Sequence, residues 1–278
     1  MLSFFKFNHC QNNDWASPDN YVHACYTDIP ALFTERGLDT NTFPYQSATN
    51  SMEYPPLTGL TAWLISFVTP DNSHNWFFNL NALLLIMMFI ISAVIVKHLA
   101  PKYLYLFPAS PAVVASLFIN WDLLAVACAL LAIYYFENKK FELSGIWLGI
   151  SIATKFFPIV LLLPIAVIFY RRRQYREFIR YFFTTTIIWL AVNLPIALFY
   201  FDGWWRFIKL NLERGADYEL DHKFSITEGF KQNVSPEIIG HYANLELLPK
   251  FDNRSKRIRC SIALTELNEL ITTAEQIQ

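Results

Sequence analysis

An almost uncharged tract from Leu57 to Val96 constrains the fold of this chain more than any other feature. Asp71 is its only acidic or basic side chain, with histidine counted as neutral. A helix needs about 20 apolar residues to cross a bilayer, and Trp76–Val96 provides such a run. Charged residues make up 16% of the whole chain, against roughly 25% in soluble domains. The tract therefore predicts a membrane protein rather than a soluble protein with a large helical core.

Further apolar segments continue this pattern along the chain. Leu57–Thr69 has only about a dozen residues, which suits an interfacial or re-entrant helix better than a span. The other segments are Tyr103–Ile119, Trp121–Phe136, Leu143–Tyr170 and Phe178–Phe201. About six apolar segments between residues 57 and 201 predict an all-α fold, a polytopic transmembrane helical bundle.

The two ends of the chain differ from this apolar centre. Residues 1–56 are polar, aromatic and interrupted by prolines, which predicts an outer loop domain with one short helix around Ile29–Arg36. Residues 202–278 are polar and contain no further span, so they are expected to form an atypical tail. A surface helix over Ile262–Ile277 is the one element that we expect there.

Basic residues in short loops set the expected orientation, because such loops stay on the cytoplasmic side. Three loops carry lysine or arginine: 97–102, 137–140 and 171–173. Leu143–Tyr170 must then cross an even number of times and is predicted to be a hairpin. Each arm of about 14 residues spans only ~21 Å, less than the ~30 Å hydrocarbon layer. The bend, at Lys155, should therefore line a cavity within the membrane.

The same count places the candidate site residues on one side of the membrane. Residues 1–56 lie outside provided that 57–69 does not cross. The turn Asn120–Asp122 and the segment that follows Phe201, including Arg214, lie on that side too. Asp28, Asp122 and Lys155 can then share one site.

Lys155 is the residue that most needs an explanation, because ionisable side chains inside a membrane are functional by default. One hypothesis is a counter-charge for an anionic substrate such as a lipid phosphate. The alternative is a side chain that snorkels to the outer headgroups. Asp122 has two compatible readings, a substrate contact and an N-cap of the helix that it begins.

Asp28 and Arg214 have weaker signals of their own. A carboxylate among aromatic side chains, as at Asp28, can act as a general base towards a hydroxyl, although a solvated loop aspartate is the commoner case. Arg214 with Asp217 could bind a phosphate or a sugar, or the two could simply pair on the surface. Tyr54 precedes two prolines that steer the chain into its apolar part.

The cysteines and the net charge exclude some classes of function. The four cysteines form no CxxC pair, which disfavours a zinc site. Cys10 and Cys25 share the N-terminal segment, and both a disulfide in an oxidising compartment and two free thiols stay open. A net charge of −1 provides no basic field for a nucleic acid.

Several short motifs, taken together, resemble a bacterial family of multi-spanning glycosyltransferases. They are Cys25–Phe33, Arg36–Leu38, Pro44–Tyr45, Glu53–Pro56, Asn120–Asp122, Gly149–Pro158 and Arg214–Asp217. The family is glycosyltransferase family 87, the polyprenyl-phosphate-mannose-dependent α-mannosyltransferases of the GT-C fold class. The resemblance runs from about Cys10 to Asp217.

The resemblance implies transfer of a hexose, often mannose, from a polyprenyl phosphate donor to a cell-envelope glycolipid or glycan. The reaction would invert the anomeric carbon at the outer face of a bacterial plasma membrane, without a metal or other cofactor. Asp28 matches the catalytic base of the family, and Lys155 and Arg214 would stabilise the lipid phosphate. The pocket would be lined by Tyr54, Asn120 and Asp122.

The sequence also departs from this family at both ends. Family members normally have a helix before the first outer loop and further spans beyond the position of Asp217, so the resemblance implies an internal piece of a longer enzyme. Two other hypotheses stay open. One is a transporter or lipid flippase with Lys155 in its path, and the other is an inactive membrane fragment.

Overall fold

A computed structural model describes residues 2–16, 19–213 and 218–276. The described chain is mostly helical and divides into two units, 1–208 and 209–278. The helices up to residue 213 are α1 (Leu2–Phe5), α2 (Asn8–Asn12), α3 (Asp19–Val22), α4 (Asp28–Glu35), α5 (Pro56–Ser66), α6 (His74–Leu99), α7 (Leu106–Ala109), α8 (Pro111–Ser116), α9 (Asp122–Glu137), α10 (Phe141–Thr154), α11 (Leu162–Arg171), α12 (Tyr175–Phe199) and α13 (Phe201–Glu213).

Two of these helices, α6 and α12, are long and apolar enough to cross a membrane within the described residues. They contain 26 and 25 residues, so each is longer than the ~30 Å hydrocarbon layer at ~1.5 Å per residue. Large apolar side chains such as Leu83 and Ile90 on α6, and Ile187 and Leu198 on α12, are exposed. Lipid rather than water is the solvent that suits these surfaces. A bundle with more crossings stays a prediction.

The expectation of one continuous span over Tyr103–Ile119 is wrong. This stretch forms two short helices, α7 and α8, separated at Ser110. Ser110 adopts an extended conformation (φ −62°, ψ 124°), because the ring of a following proline, here Pro111, disfavours helical backbone. Neither helix is long enough to cross a bilayer.

Helix α10 packs between α9 and α12 through small residues. A Cβ placed on Gly149 would lie 2.7 Å from the carbonyl oxygen of Thr185, so only glycine permits this approach. Ser144 and Ser151 donate hydrogen bonds of 2.7 Å to backbone carbonyls of α9. Close packing on small and hydroxyl residues is typical of helices in a membrane.

The chain reverses direction after α10, while a hairpin within the membrane stays a prediction. A 3₁₀ turn (Phe157–Leu161) connects α10 to α11. The returning helix α11 brings Phe169 against Phe136 and Phe141, with ring centroids 5.3 Å and 4.9 Å apart. Lys155 therefore lies at the bend, away from the end of the helix pair that holds these rings.

The N-terminal region shares a buried core with α6. A disulfide joins Cys10 to Cys25, and Phe7 and Phe33 are fully buried with Phe77 of α6. Helix α4 coincides closely with the short helix expected from the sequence. It ends before Gly37, whose left-handed φ of 68° terminates the helix.

The second unit, residues 209–278, contains both strands and helices. It contains strands β1 (Tyr218–His222) and β2 (Leu245–Pro249), which pair antiparallel, and helices α14 (Ile226–Lys231), α15 (Pro236–Ile239), α16 (Lys250–Lys256) and α17 (Leu264–Gln276). Phe224, Ile239 and Leu267 form its buried core. The two strands are an exception to the all-α expectation, and α17 lies where a surface helix was expected.

Candidate active site

Asp28 is the first residue of α4, and its position is fixed by the residue before it. The hydroxyl of Thr27 accepts the backbone N–H of Ile29 (3.2 Å) and caps the helix. It also donates to the carbonyl of Phe118 (2.7 Å), while the backbone N–H of Asp28 donates to the carbonyl of Ile119 (2.8 Å). These bonds hold the start of α4 against the segment that leads into α9. The dipole of α4 also favours a carboxylate at its first residue, Asp28.

Two tyrosines surround the Asp28 carboxylate. The hydroxyl of Tyr54 donates a hydrogen bond to Oδ2 of Asp28, and Tyr26 interacts with the same carboxylate. Burial, and then the charge of Asp28, raise the pKa of both phenols well above their usual value. Both tyrosines therefore keep their protons at neutral pH and act as hydrogen-bond donors.

Lys155 extends this arrangement on the other side of Tyr54. Its Nζ atom lies 3.8 Å from the centroid of the Tyr54 ring and 2.7 Å from Oδ1 of Asp122. The Lys155 side chain is only 15% exposed, whereas Asp122 is 51% exposed. The ammonium group thus has an ion pair and an aromatic face as partners.

The turn before α9 supports both groups. The Oδ1 atom of Asn120 accepts the backbone N–H of Asp122 (2.9 Å), and the carboxylate of Asp122 pairs with Lys155. Trp121 is fully buried; its ring packs edge-on against Tyr54 at 5.7 Å and its indole donates to Oδ1 of Asn81 (2.7 Å). The predicted N-cap role of Asp122 is wrong, because Asp122 is the first helical residue of α9 and the N-cap position is Trp121, where no side chain caps the helix.

We call Asp28, Tyr54, Asp122 and Lys155 the acid–tyrosine–lysine cluster. The structure brings these four residues together from four separate places in the chain: the start of α4, the loop before α5, the start of α9 and the end of α10. Tyr26 and Trp121 support the cluster and were not singled out in the sequence. The sequence signal that could have identified them is their position, two residues before Asp28 and one residue before Asp122. Arg214 and Asp217 lie outside the described residues.

An apolar cavity adjoins the cluster at Asp122. It has a volume of about 330 Å³ and lies where α7 and α8 meet α9. Asn120 and Asp122 are at its polar side, and its apolar walls include Phe107, Leu117 and Leu123. An anionic group at Lys155 could therefore continue into an apolar chain in this cavity.

The comparisons with known proteins identify a family. A family model described as glycosyltransferase family 87 matches residues 53–249. No curated protein and no solved structure matches the chain. The match includes Tyr54, Asn120, Asp122 and Lys155, begins after Asp28, and extends beyond Asp217 through β2. Since it covers more than half of the sequence, the chain belongs to glycosyltransferase family 87 and is a membrane glycosyltransferase.

Proposed function

We propose that this protein transfers mannose from a polyprenyl phosphate donor to a hydroxyl of a cell-envelope glycolipid or glycan, with Asp28 as the general base. The acid–tyrosine–lysine cluster is the observation that supports this proposal. It presents a carboxylate and an ammonium group on either side of one tyrosine. A glycosyl transfer needs both, one for the incoming hydroxyl and one for the leaving phosphate.

The reaction follows from these positions. Asp28 takes the proton of the acceptor hydroxyl, and the acceptor oxygen forms a bond to the anomeric carbon. The bond between that carbon and the phosphate oxygen breaks, and the oxygen leaves with the electron pair as polyprenyl phosphate. Attack opposite to the leaving group inverts the anomeric carbon. The charge that develops on the phosphate is stabilised by Lys155.

Tyr54 orients the base in this scheme. Burial and the charge of Asp28 raise its pKa, so the phenol does not lose its proton while Asp28 is acting as a base. Its hydrogen bond fixes one oxygen of the carboxylate and leaves the other for the acceptor. Its ring holds Lys155, which places the two catalytic groups at a set separation.

The choice of a lipid phosphate donor rests on the surroundings of Lys155. The apolar cavity beside Asp122 suits a polyprenyl chain, while the phosphate binds the ammonium group at the mouth of that cavity. Such a phosphate shares Lys155 with Asp122, whose half-exposed carboxylate can be solvated when the pair opens. A soluble donor would make no use of the apolar wall.

Two observations support an outer location of the site: the disulfide in the N-terminal region and the basic residues in the short loops. Disulfides such as Cys10–Cys25 form in oxidising compartments. Helix α5 has 11 residues, or ~16 Å, too few to cross a bilayer. The short basic loops are expected on the cytoplasmic side, so the disulfide-bonded N-terminal region belongs on the other.

The donor assignment is tested with purified protein in liposomes that contain an envelope glycolipid extract. Radiolabelled mannose is supplied either on polyprenyl phosphate or on a nucleoside diphosphate. We expect labelled glycolipid from the lipid-linked donor alone. Product from the nucleotide donor alone would overturn the assignment. Movement of the lipid donor between leaflets without any product would favour the flippase hypothesis instead.

A further inference from the structure

A second, basic cavity lies at the turn between α9 and α10. It has a volume of about 330 Å³, and the first turns of α12 form its opposite wall. Its basic lining residues are Lys139, Lys140 and Arg180, its acidic ones are Glu142 and Glu177, and Phe141 and Leu143 are apolar. No step of the proposed transfer reaction uses any of these side chains.

The charges in this cavity are not matched to one another. Three cations face two carboxylates, which leaves one excess positive charge. Throughout the part of the chain that the structure describes, none of the three basic side chains forms an ion pair within 4.0 Å. Lys140 instead lies 6.0 Å from the ring of Tyr135. The cavity therefore has the charge and the free donors that an anion requires.

The start of α10 adds backbone donors to the same place. Helix α10 has 14 residues and begins at Phe141, and no side chain caps its N-terminus. The first N–H groups of a helix have no partner within it and carry partial positive charge, which favours a phosphate. Lys139 and Lys140 directly precede this terminus, so backbone and side-chain donors converge.

The location points to a lipid rather than a soluble ion. Helix α9 is ~24 Å long and separates this cavity from the Asp122–Lys155 pair at its other end. Basic pockets between transmembrane helices on the cytoplasmic side bind anionic lipid headgroups. Leu143 is 41% exposed at the rim, which suits contact with the glycerol and acyl chains below a headgroup.

We propose that this cavity binds the phosphate headgroup of an anionic phospholipid from the leaflet opposite the active site. The phosphate contacts the start of α10 together with Lys139, Lys140 and Arg180, and the acyl chains run along Phe141 and Leu143. The bound lipid holds the start of α10 against α12. The site is independent of which sugar or acceptor the enzyme uses.

Native mass spectrometry of the detergent-solubilised protein tests this site, with equal amounts of phosphatidylglycerol and phosphatidylcholine added. We expect phosphatidylglycerol to be retained preferentially. The triple variant Lys139→Gln/Lys140→Gln/Arg180→Gln should lose that preference by about tenfold or more. The matched control is Arg171→Gln/Arg172→Gln/Arg173→Gln, which removes the same charge from exposed residues outside the cavity and should keep the preference.

Two further arms make the outcome decisive. Glu177→Gln removes a repulsive carboxylate and should increase phosphatidylglycerol retention, a gain that a misfolded protein would not show. Inorganic phosphate at millimolar concentration should displace little lipid. An equal loss of preference in both triple variants would overturn the proposal in favour of general attraction to a basic surface. Full displacement by inorganic phosphate would overturn it in favour of a free-phosphate site.

Discussion

The two ends of the α9–α10 pair carry their charges in opposite ways. At one end Lys155 is largely buried and lies 2.7 Å from Asp122. At the other, Lys139 and Lys140 line an open cavity and, in the described part of the chain, lack a carboxylate partner within 4.0 Å. The same two helices form both ends, so their apolar character does not explain the difference.

This difference indicates a different role for the largely buried Lys155 and for the exposed Lys139 and Lys140. A charge held away from water requires a partner, so Lys155 has a defined geometry and any substrate anion must compete with Asp122. Exposed basic residues have no such requirement. On the predicted topology they set the orientation of the helices, and we propose that they bind an anion from the membrane surface.

The largest expected effect comes from removing the buried cation. Lys155→Met should lower the rate of mannose transfer by about 10²-fold or more, because the proposed mechanism uses this group to stabilise the leaving phosphate. Asp122 is half exposed, so the fold should survive. Initial rates at saturating donor measure the effect, and Lys102→Met, an exposed lysine in the loop after α6, is the control. An unchanged rate in Lys155→Met would remove that residue from the mechanism.

A smaller effect is expected from the hydrogen bond at the centre of the cluster. Tyr54→Phe keeps the ring that contacts Lys155 and Trp121 but removes the donor to Asp28. Hydrogen bonds to charged groups contribute about 1.5–3 kcal/mol, so the rate should fall roughly 10- to 100-fold. The raised pKa of Tyr54 keeps the phenol protonated, so this factor should be the same at mildly acid and mildly alkaline pH. A factor that changes across this pH range would contradict the assignment, and Tyr103→Phe, at an exposed tyrosine, is the control.

The packing that joins the two ends can be tested by glycine substitution. Gly149→Ala would place a Cβ 2.7 Å from the carbonyl oxygen of Thr185 and should destabilise the protein by about 1–3 kcal/mol. Gly145→Ala places its Cβ 3.0 Å from the carbonyl oxygen of Tyr181 and should cost less. Thermal unfolding in detergent measures both variants. Equal stability of all three proteins would show that α10 does not require this close approach.

The smallest expected effect concerns an ion-pair cluster in the second unit, whose contribution to stability should depend on pH. Nζ of Lys256 lies 2.8 Å from carboxylate oxygens of both Asp221 and Glu246. Burial alone would raise the pKa of each carboxyl, but the hydrogen bonds from Lys256 lower both below their usual values. Depressed carboxyl pKa values stabilise the unit above the pKa values of the unfolded chain, and this stability is lost as pH falls through the folded values.

The loss of stability at low pH can be measured by hydrogen exchange of the β1 and β2 amides. Protection factors in the full-length protein should fall as the carboxyls protonate, and Lys256→Met should remove most of the pH dependence. The expected change is about 1 kcal/mol, since the three groups are partly exposed. Identical pH profiles for the two proteins would show that the cluster does not stabilise the strands.

The long apolar helices and the short helix before Gly37 could be predicted from the sequence, because each depends on local pattern. The run 103–119 could not be predicted from its apolar composition, since Pro111 interrupts the backbone regardless of hydropathy. The strands β1 and β2 pair although α14 and α15 separate them in the sequence. No local sequence pattern specifies which strand β1 will pair with.

The residues of the candidate active site could be predicted as types but not as contacts. Asp28 and Lys155 stood out because of their chemistry and their places in the chain. Their connection through Tyr54 depends on the docking of Thr27 onto Phe118, a contact between distant residues. The roles of Asn120 and Asp122 also required the geometry, because either side chain can cap a helix, whereas in the structure Asn120 accepts the N–H of Asp122 and Asp122 pairs with Lys155.

The central claim, that Asp28 is the base, is tested most directly by Asp28→Asn in the liposome assay with polyprenyl-phosphate mannose. We expect a rate at least about 10²-fold below the wild type, with binding of the lipid donor retained because Lys155 is intact. Asp71→Asn is the matched control, since it makes the same change in an exposed turn whose left-handed backbone (φ 54°) asparagine also adopts. A wild-type rate for Asp28→Asn would contradict the account.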